Sequence, residues 1–227
     1  SAEEFEKCNV AGTKAVVDAA AAAGVERFVH VSSLSAREPA LSLYGASKAR
    51  SEEVVRASGL AYAIVRPPAV YGPGDKETLE LFKMAERGLV FLPAQGRLSV
   101  IHVDDLGRLL LALADPGVPA GLEVEPDDGR FGGWTHREFG DALAAAVGRK
   151  AACIPVPGGL LRFAGRIDEL VRGDAAKLTR DRASYFSHPD WVVTPGLAPP
   201  AGLWAPQIPT AEGLAATANW YRSRDWL

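Results

Sequence analysis

Glu26-Arg27-Phe28-Val29-His30-Val31-Ser32-Ser33 is a short apolar run with β-branched residues that ends in two hydroxyls. It reads as a buried parallel strand. In open α/β sheets ligands gather at the carboxyl ends of the strands, so Ser32 and Ser33 stand where a small molecule would be met. A second such run, Ala61-Tyr62-Ala63-Ile64-Val65-Arg66, leads into Pro67-Pro68-Ala69-Val70-Tyr71-Gly72-Pro73-Gly74. Between the two lies Ser42-Leu43-Tyr44-Gly45-Ala46-Ser47-Lys48-Ala49-Arg50, with a phenol and an amine four residues apart. On a helix that spacing places both on one face, where the Lys48 ammonium would lower the pKa of the Tyr44 hydroxyl and prepare it for proton transfer. Alone, the pair would mark no more than an exposed helix face. Flanked by two parallel strands, Ser33, Tyr44 and Lys48 are delivered to one crevice.

Helix and strand patterns alternate through about residue 70, as βαβ units do. Residues 1 to 23 predict an alanine-rich helix closed by Gly24, followed by a strand from Val25 to Ser32; Gly59 closes the Tyr44/Lys48 helix in the same manner. Beyond Pro73, Pro and Gly become frequent, shorter helices are expected, and Asp115-Pro116-Gly117 and Glu125-Pro126-Asp127-Asp128-Gly129 mark turns. Thr135-His136-Arg137-Glu138 has capping-box spacing and predicts a helix to Ala146 that stops near Gly148. In Ile101-His102-Val103-Asp104-Asp105 the aspartates would cap a helix beginning near Leu106. His30, between two valines of a strand, reads as a core histidine, and His102 as structural.

Of the 227 residues 48% are hydrophobic and 23% charged, the balance of an ordinary globular protein with room for one large or two small cores. A formal charge of -3 gives no footprint for nucleic acid or an anionic membrane. Cys8, Cys153 and four scattered histidines share no metal-ligand spacing. Reduced thiols, no structural zinc and a cytoplasmic setting are expected. No apolar run reaches transmembrane length, because Asp18 breaks the stretch Ala15 to Ala23.

Five blocks in order, Asn9-Val10-Ala11-Gly12-Thr13, Ala22 to Ser33, the Tyr44/Lys48 helix, Arg66-Pro67 to Gly72-Pro73 and Ile101 to Asp105, resemble the extended and atypical branch of the short-chain dehydrogenase/reductase superfamily, the NAD-dependent epimerase/dehydratase family. The resemblance implies an α/β fold: a Rossmann-like doubly wound parallel sheet, here with its first strands missing, and a small C-terminal α+β substrate lobe. It implies that residues 1–72 are the C-terminal part of the NAD(P)-binding domain. Residues 73–227 would then be mainly the substrate lobe, with a segment at about 98–115 returning to the sheet. The family's Gly-rich turn, on which a helix N-terminus holds the cofactor pyrophosphate, has no counterpart here. The clusters Gly72/Gly74 and Gly129/Gly132/Gly133 have the wrong spacing for it. The expectation is therefore a fragment that lacks the first portion of its dinucleotide-binding domain.

By the same resemblance NAD or NADP is the cofactor, and Ser33, Tyr44 and Lys48 are the catalytic set. Tyr44 exchanges a proton with substrate oxygen, Lys48 holds the nicotinamide ribose and Ser33 hydrogen-bonds the substrate oxygen. Asn9, Pro67, Pro68 and Val70 complete the cofactor-binding residues. The partner is a small molecule with a hydroxyl or carbonyl group, without nucleic acid or membrane insertion, and a homodimer is left open. Reductase and epimerase chemistry use the same three residues, so they do not separate the two. Two departures weaken a sugar-nucleotide assignment: only Leu34 to Leu43 separate the serine strand from the helix, and Ala69 stands where many nucleotide-sugar enzymes have Asn. Similarity also to the NAD(P)H-binding accessory subunit of respiratory complex I leaves a second reading, a non-catalytic nucleotide-binding or redox-sensing subunit.

Overall fold

A computed structural model describes residues 2–173 and 179–227. The chain opens with α1 (Ala2–Phe5), a π-helical stretch Glu6–Ala11, α2 (Gly12–Ala22) and β1 (Phe28–Val31). A 3-10 turn (Leu34–Arg37) precedes α3 (Leu43–Arg56), β2 (Tyr62–Val65), β3 (Ala69–Tyr71), α4 (Leu79–Glu86), β4 (Leu89–Pro93), β5 (Arg97–Leu98) and β6 (Val100–His102). Then come α5 (Val103–Leu113), β7 (Leu122–Val124), β8 (Trp134–Thr135), α6 (His136–Ala146) and β9 (Ala152–Val156). The chain closes with α7 (Gly158–Arg172), α8 (Arg180–Phe186), β10 (Asp190–Trp191) and α9 (Thr210–Ser223).

Two compact units divide these elements. One comprises Ser1–Pro68, Leu106–Asp127 and Val193–Ala205. Its sheet is parallel, in the order β1-β2-β7, with Phe28 opposite Tyr62 and Val31 opposite Val65. A parallel pair needs a crossover, and α3 supplies it between β1 and β2. The helices cover the sheet through Val17, Val55 and Ile64, with Phe28, Val54, Leu60 and Tyr62 around them. The expected strand from Val25 to Ser32 is shorter in its ladder, Phe28–Val31, because Glu26 and Arg27 turn aside; Arg27 Nε donates to the Leu113 carbonyl at 2.8 Å.

The other unit comprises Ala69–Asp105, Asp128–Val192 and Pro206–Leu227. It holds the parallel pairs β3/β6 and β4/β9 and a small sheet in the order β10-β5-β8. Phe82, Val90, Val100, Phe139, Leu143, Leu214 and Tyr221 form its core. The capping box expected at Thr135 is present: Thr135 Oγ1 accepts from Glu138 N, and Glu138 Oε2 accepts from Thr135 N at 2.8 Å. Asp105 departs from its expected capping role. The helix already starts at Val103, and the buried Asp105 carboxylate accepts instead from the Gln207 and Ile208 amides at 2.8 and 3.0 Å, pinning the approach to α9. Helices after Pro73 are not uniformly shorter either, since α7 runs 15 residues against 14 for α3.

Candidate functional site

The sequence around Tyr44 folds as a helix for local reasons. Ser42 is an extended N-cap whose Oγ accepts from Gly45 N at 2.9 Å, satisfying one of the orphan amides of the first turn. Gly45 lets that turn lie against the 3-10 turn: a Cβ there would stand 2.6 Å from the Ser35 carbonyl oxygen. Ser33 caps the 3-10 turn in the same way, its Oγ accepting from Ser35 N at 3.2 Å and from Ser35 Oγ at 2.9 Å. The two serine caps thus set the end of β1 against the start of α3.

Tyr44 is 36% exposed as a residue. Burial of the rest of the side chain pushes the phenol above its ordinary value, and a hydrogen bond with Ser33 pulls it partly back. The expected lowering by Lys48 is not the net result. Lys48 Nζ instead donates to the Val31 carbonyl at 2.7 Å, at the carboxyl end of β1. Burial draws the ammonium below its ordinary value, against the charge of Glu52 one helical turn further on.

Asn9 Nδ2 donates to Ser47 Oγ at 2.9 Å, and Ser47 Oγ donates to the Tyr44 carbonyl at 2.7 Å, so Asn9 reaches Tyr44 through the helix backbone. Phe5 packs its ring against Tyr44 with centroids 5.8 Å apart. The Pro67 carbonyl accepts from Leu34 N at 2.9 Å, which seats the Pro67-Pro68 turn beside Ser33. Ser33, Tyr44, Lys48, Asn9, Pro67 and Pro68 therefore belong to one unit. Val70 belongs to the other unit, on β3 opposite Ile101 of β6.

Sequence reasoning missed the supports. Ser35 and Ser47 carry no motif of their own. Glu52 could have been found, four residues after Lys48 and so on the same helix face. Its buried carboxylate accepts from Ser32 Oγ at 2.6 Å, from Arg66 Nε at 2.8 Å and Arg66 Nη2 at 2.7 Å, and from Arg56 at 2.9 Å. Burial opposes its charge, yet the hydrogen bonds from Arg66 and Ser32 and the two guanidinium charges outweigh it and hold the carboxyl below its usual range.

A parallel sheet whose neighbouring strands are joined by a helical crossover defines an α/β protein of the Rossmann type. The chain belongs to the NAD(P)H-binding family, whose model matches residues 2–115. It is 40% identical over 99% of its length to ceramide reductase of Caulobacter vibrioides, of which it spans 71%. A mitochondrial 40 kDa subunit of NADH-ubiquinone oxidoreductase from Neurospora crassa is 33% identical over 47% of the chain, which spans 28% of that protein. Among solved structures, MoeE5 in complex with UDP-glucose and NAD superposes with a TM-score of 0.71 at 22% identity, over 96% of this chain and 72% of that one, a likeness of fold. The donor chemistry at the end of β1 is compatible with such a cofactor: the half-buried Lys48 ammonium and the partly exposed Tyr44 side chain lie on one helix face and are groups that can hydrogen-bond ribose hydroxyls.

Proposed function

We propose that this chain carries the acid/base center of an NAD(P)-dependent reductase that converts a carbonyl of a ceramide-class lipid to a hydroxyl. The observation that carries this reading is the hydrogen-bond state of Ser33. Its oxygen already accepts twice from Ser35, so in its hydrogen bond with Tyr44 the Ser33 hydroxyl is the donor, which leaves the Tyr44 proton to be offered to a ligand. On substrate binding the Ser33 proton can turn from the phenol oxygen to the substrate oxygen, beside the Tyr44 O–H. When bound, NAD(P)H supplies the hydride to the carbonyl carbon. As negative charge grows on the carbonyl oxygen, Ser33 donates a hydrogen bond to it and Tyr44 transfers its proton to it, leaving a phenolate that is reprotonated from solvent. A phenol kept above its ordinary pKa is fully protonated at neutral pH, the form that reduction requires. Lys48 holds the nicotinamide ribose and stabilises the transient phenolate, while Asn9, Pro67 and Pro68 line the cofactor side.

In this reading residues 1–72 form the C-terminal part of the dinucleotide-binding domain, and residues 73–227 are mainly the substrate lobe, with about 98–115 returning to the sheet. The lipid class is favoured by the 40% identity to a ceramide reductase along almost the whole chain. The full-length protein should oxidise NADH or NADPH in the presence of a keto-ceramide, with one hydroxyl product formed per dinucleotide consumed. Tight dinucleotide binding without any turnover of keto-lipids or of sugar nucleotides would instead identify a non-catalytic nucleotide-binding subunit.

A further inference from the structure

Helix α7 leaves its apolar face in solvent. Leu160, Phe163, Ile167, Leu170 and Val171 recur at helical spacing on one side and are 56, 58, 47, 87 and 74% exposed. The opposite side, with Leu161, Gly165 and Asp168, is the less exposed one, and the helix packs on α8. The charges on α7 are arranged unevenly. Asp168 is engaged by Arg172 at 3.3 Å, and Glu169 is likewise partnered. Arg162 and Arg166 are exposed and make no ion pair among the described residues. The face therefore presents five large apolar side chains flanked by two uncompensated guanidinium groups, and no free carboxylate.

We propose that α7 is an interfacial docking helix that lays this face into an anionic lipid bilayer. Leucine, isoleucine and phenylalanine on one side with arginine at the margin match an acyl boundary below a layer of phosphate headgroups. A stripe of about 18 Å on a single convex helix falls short of the ~800 Å² per partner that a stable protein dimer buries. The chain's net charge of -3 conceals this local excess of positive charge. Docking of this kind needs no spanning segment, and among the described residues no helix is long and apolar enough to cross a membrane. The inference does not depend on the chemistry proposed for Tyr44, because it concerns binding alone.

The test is cosedimentation of the full-length protein with phosphatidylcholine vesicles, with and without phosphatidylglycerol. Binding is expected to the vesicles that contain phosphatidylglycerol. The double variant Phe163→Ser, Leu170→Ser should lower the partition coefficient at least about tenfold, with an unchanged melting temperature since both side chains already face water. Arg162→Glu with Arg166→Glu should abolish the preference for phosphatidylglycerol. In Phe163→Trp, excess fluorescence over the parent should shift to the blue on vesicle addition and be quenched by brominated acyl chains. Absence of vesicle binding, unchanged binding by the double variants, or a dimer that Leu170→Asp dissociates while vesicles are ignored would each overturn the proposal.

Discussion

The Lys48 ammonium donates to the main-chain carbonyl of Val31 at 2.7 Å, tying the second turn of α3 to the carboxyl end of β1. A cation held at a strand end by a backbone oxygen is oriented before any ligand arrives, and in the proposed site its remaining protons would serve the nicotinamide ribose. Lys48→Met removes the charge and the tether together. Dinucleotide affinity measured by calorimetry should fall, and alcohol oxidation should reach half its maximal rate at a higher pH, since a positive charge four residues along the same helix face is lost. Unchanged affinity and an unmoved pH profile would place Lys48 outside the site.

Tyr44→Phe deletes one partly exposed hydroxyl and leaves the ring on Phe5. Loss of a general acid lowers kcat by about 10²- to 10⁴-fold, while dinucleotide affinity and melting temperature stay near those of the parent. The parent's pH dependence has a definite sign. The proposed reduction would use the protonated phenol, whose pKa is raised by burial, so the reductive rate should stay flat through neutral pH and decline only above the ordinary tyrosine range. A decline centred near neutrality would assign proton donation to another group.

What the sequence discloses here is whatever depends on local spacing. The helix that carries Tyr44 and Lys48, the Thr135 capping box and the two parallel strands on either side of that helix all follow from intervals of a few residues. Features that depend on contacts between distant segments stayed hidden. Nothing near Val31 announces that its carbonyl serves Lys48, and nothing near Asp105 announces that its acceptors are the amides of Gln207 and Ile208, about one hundred positions away. The phenol's pKa is non-local in the same way: a four-residue spacing shows the cation but not the desolvation that burial imposes. The parallel pairing of β4 with β9 is equally non-local, with Leu89 opposite Ala152 and Pro93 opposite Val156.

Gly45 is a test of packing rather than of backbone freedom. Its methyl group in Gly45→Ala would meet the Ser35 carbonyl at 2.6 Å and Ser42 Oγ at 3.1 Å. The carbonyl belongs to a capped turn and cannot yield cheaply, so α3 must shift, at about 1–3 kcal/mol. That shift carries Tyr44 away from Ser33, and activity should fall more than the melting temperature alone explains. Gly59→Ala is the contrasting control: φ is +72° with open space around it, so it should cost about 1 kcal/mol of backbone strain with little effect on turnover per folded molecule. Equal behaviour of the two variants would deny the close approach of α3 to the 3-10 turn.

His30 should make stability fall in mild acid. Its Nε2 lies 3.0 Å from Ser51 Oγ, and the Ser51 hydroxyl donates to the Lys48 carbonyl at 2.7 Å, so the imidazole is the donor to Ser51 and is neutral with its proton on Nε2. Burial lowers the pKa to about 4, helped by the Lys48 charge and opposed by Glu52. The unfolded chain titrates near the ordinary histidine value of about 6.5. Because the folded value is the lower one, the unfolded state takes up the proton first as pH falls. The stabilisation is complete above about 6.5 and is lost between there and about 4, amounting to roughly 2–3 kcal/mol at pH 4.5. His30→Gln keeps an amide donor near Ser51 and removes the titration. Urea midpoints of parent and variant measured at pH 7.5 and 4.5 should therefore differ in their dependence on pH, with the variant losing less stability in acid. Parallel losses in the two proteins would assign the acid sensitivity to groups other than His30.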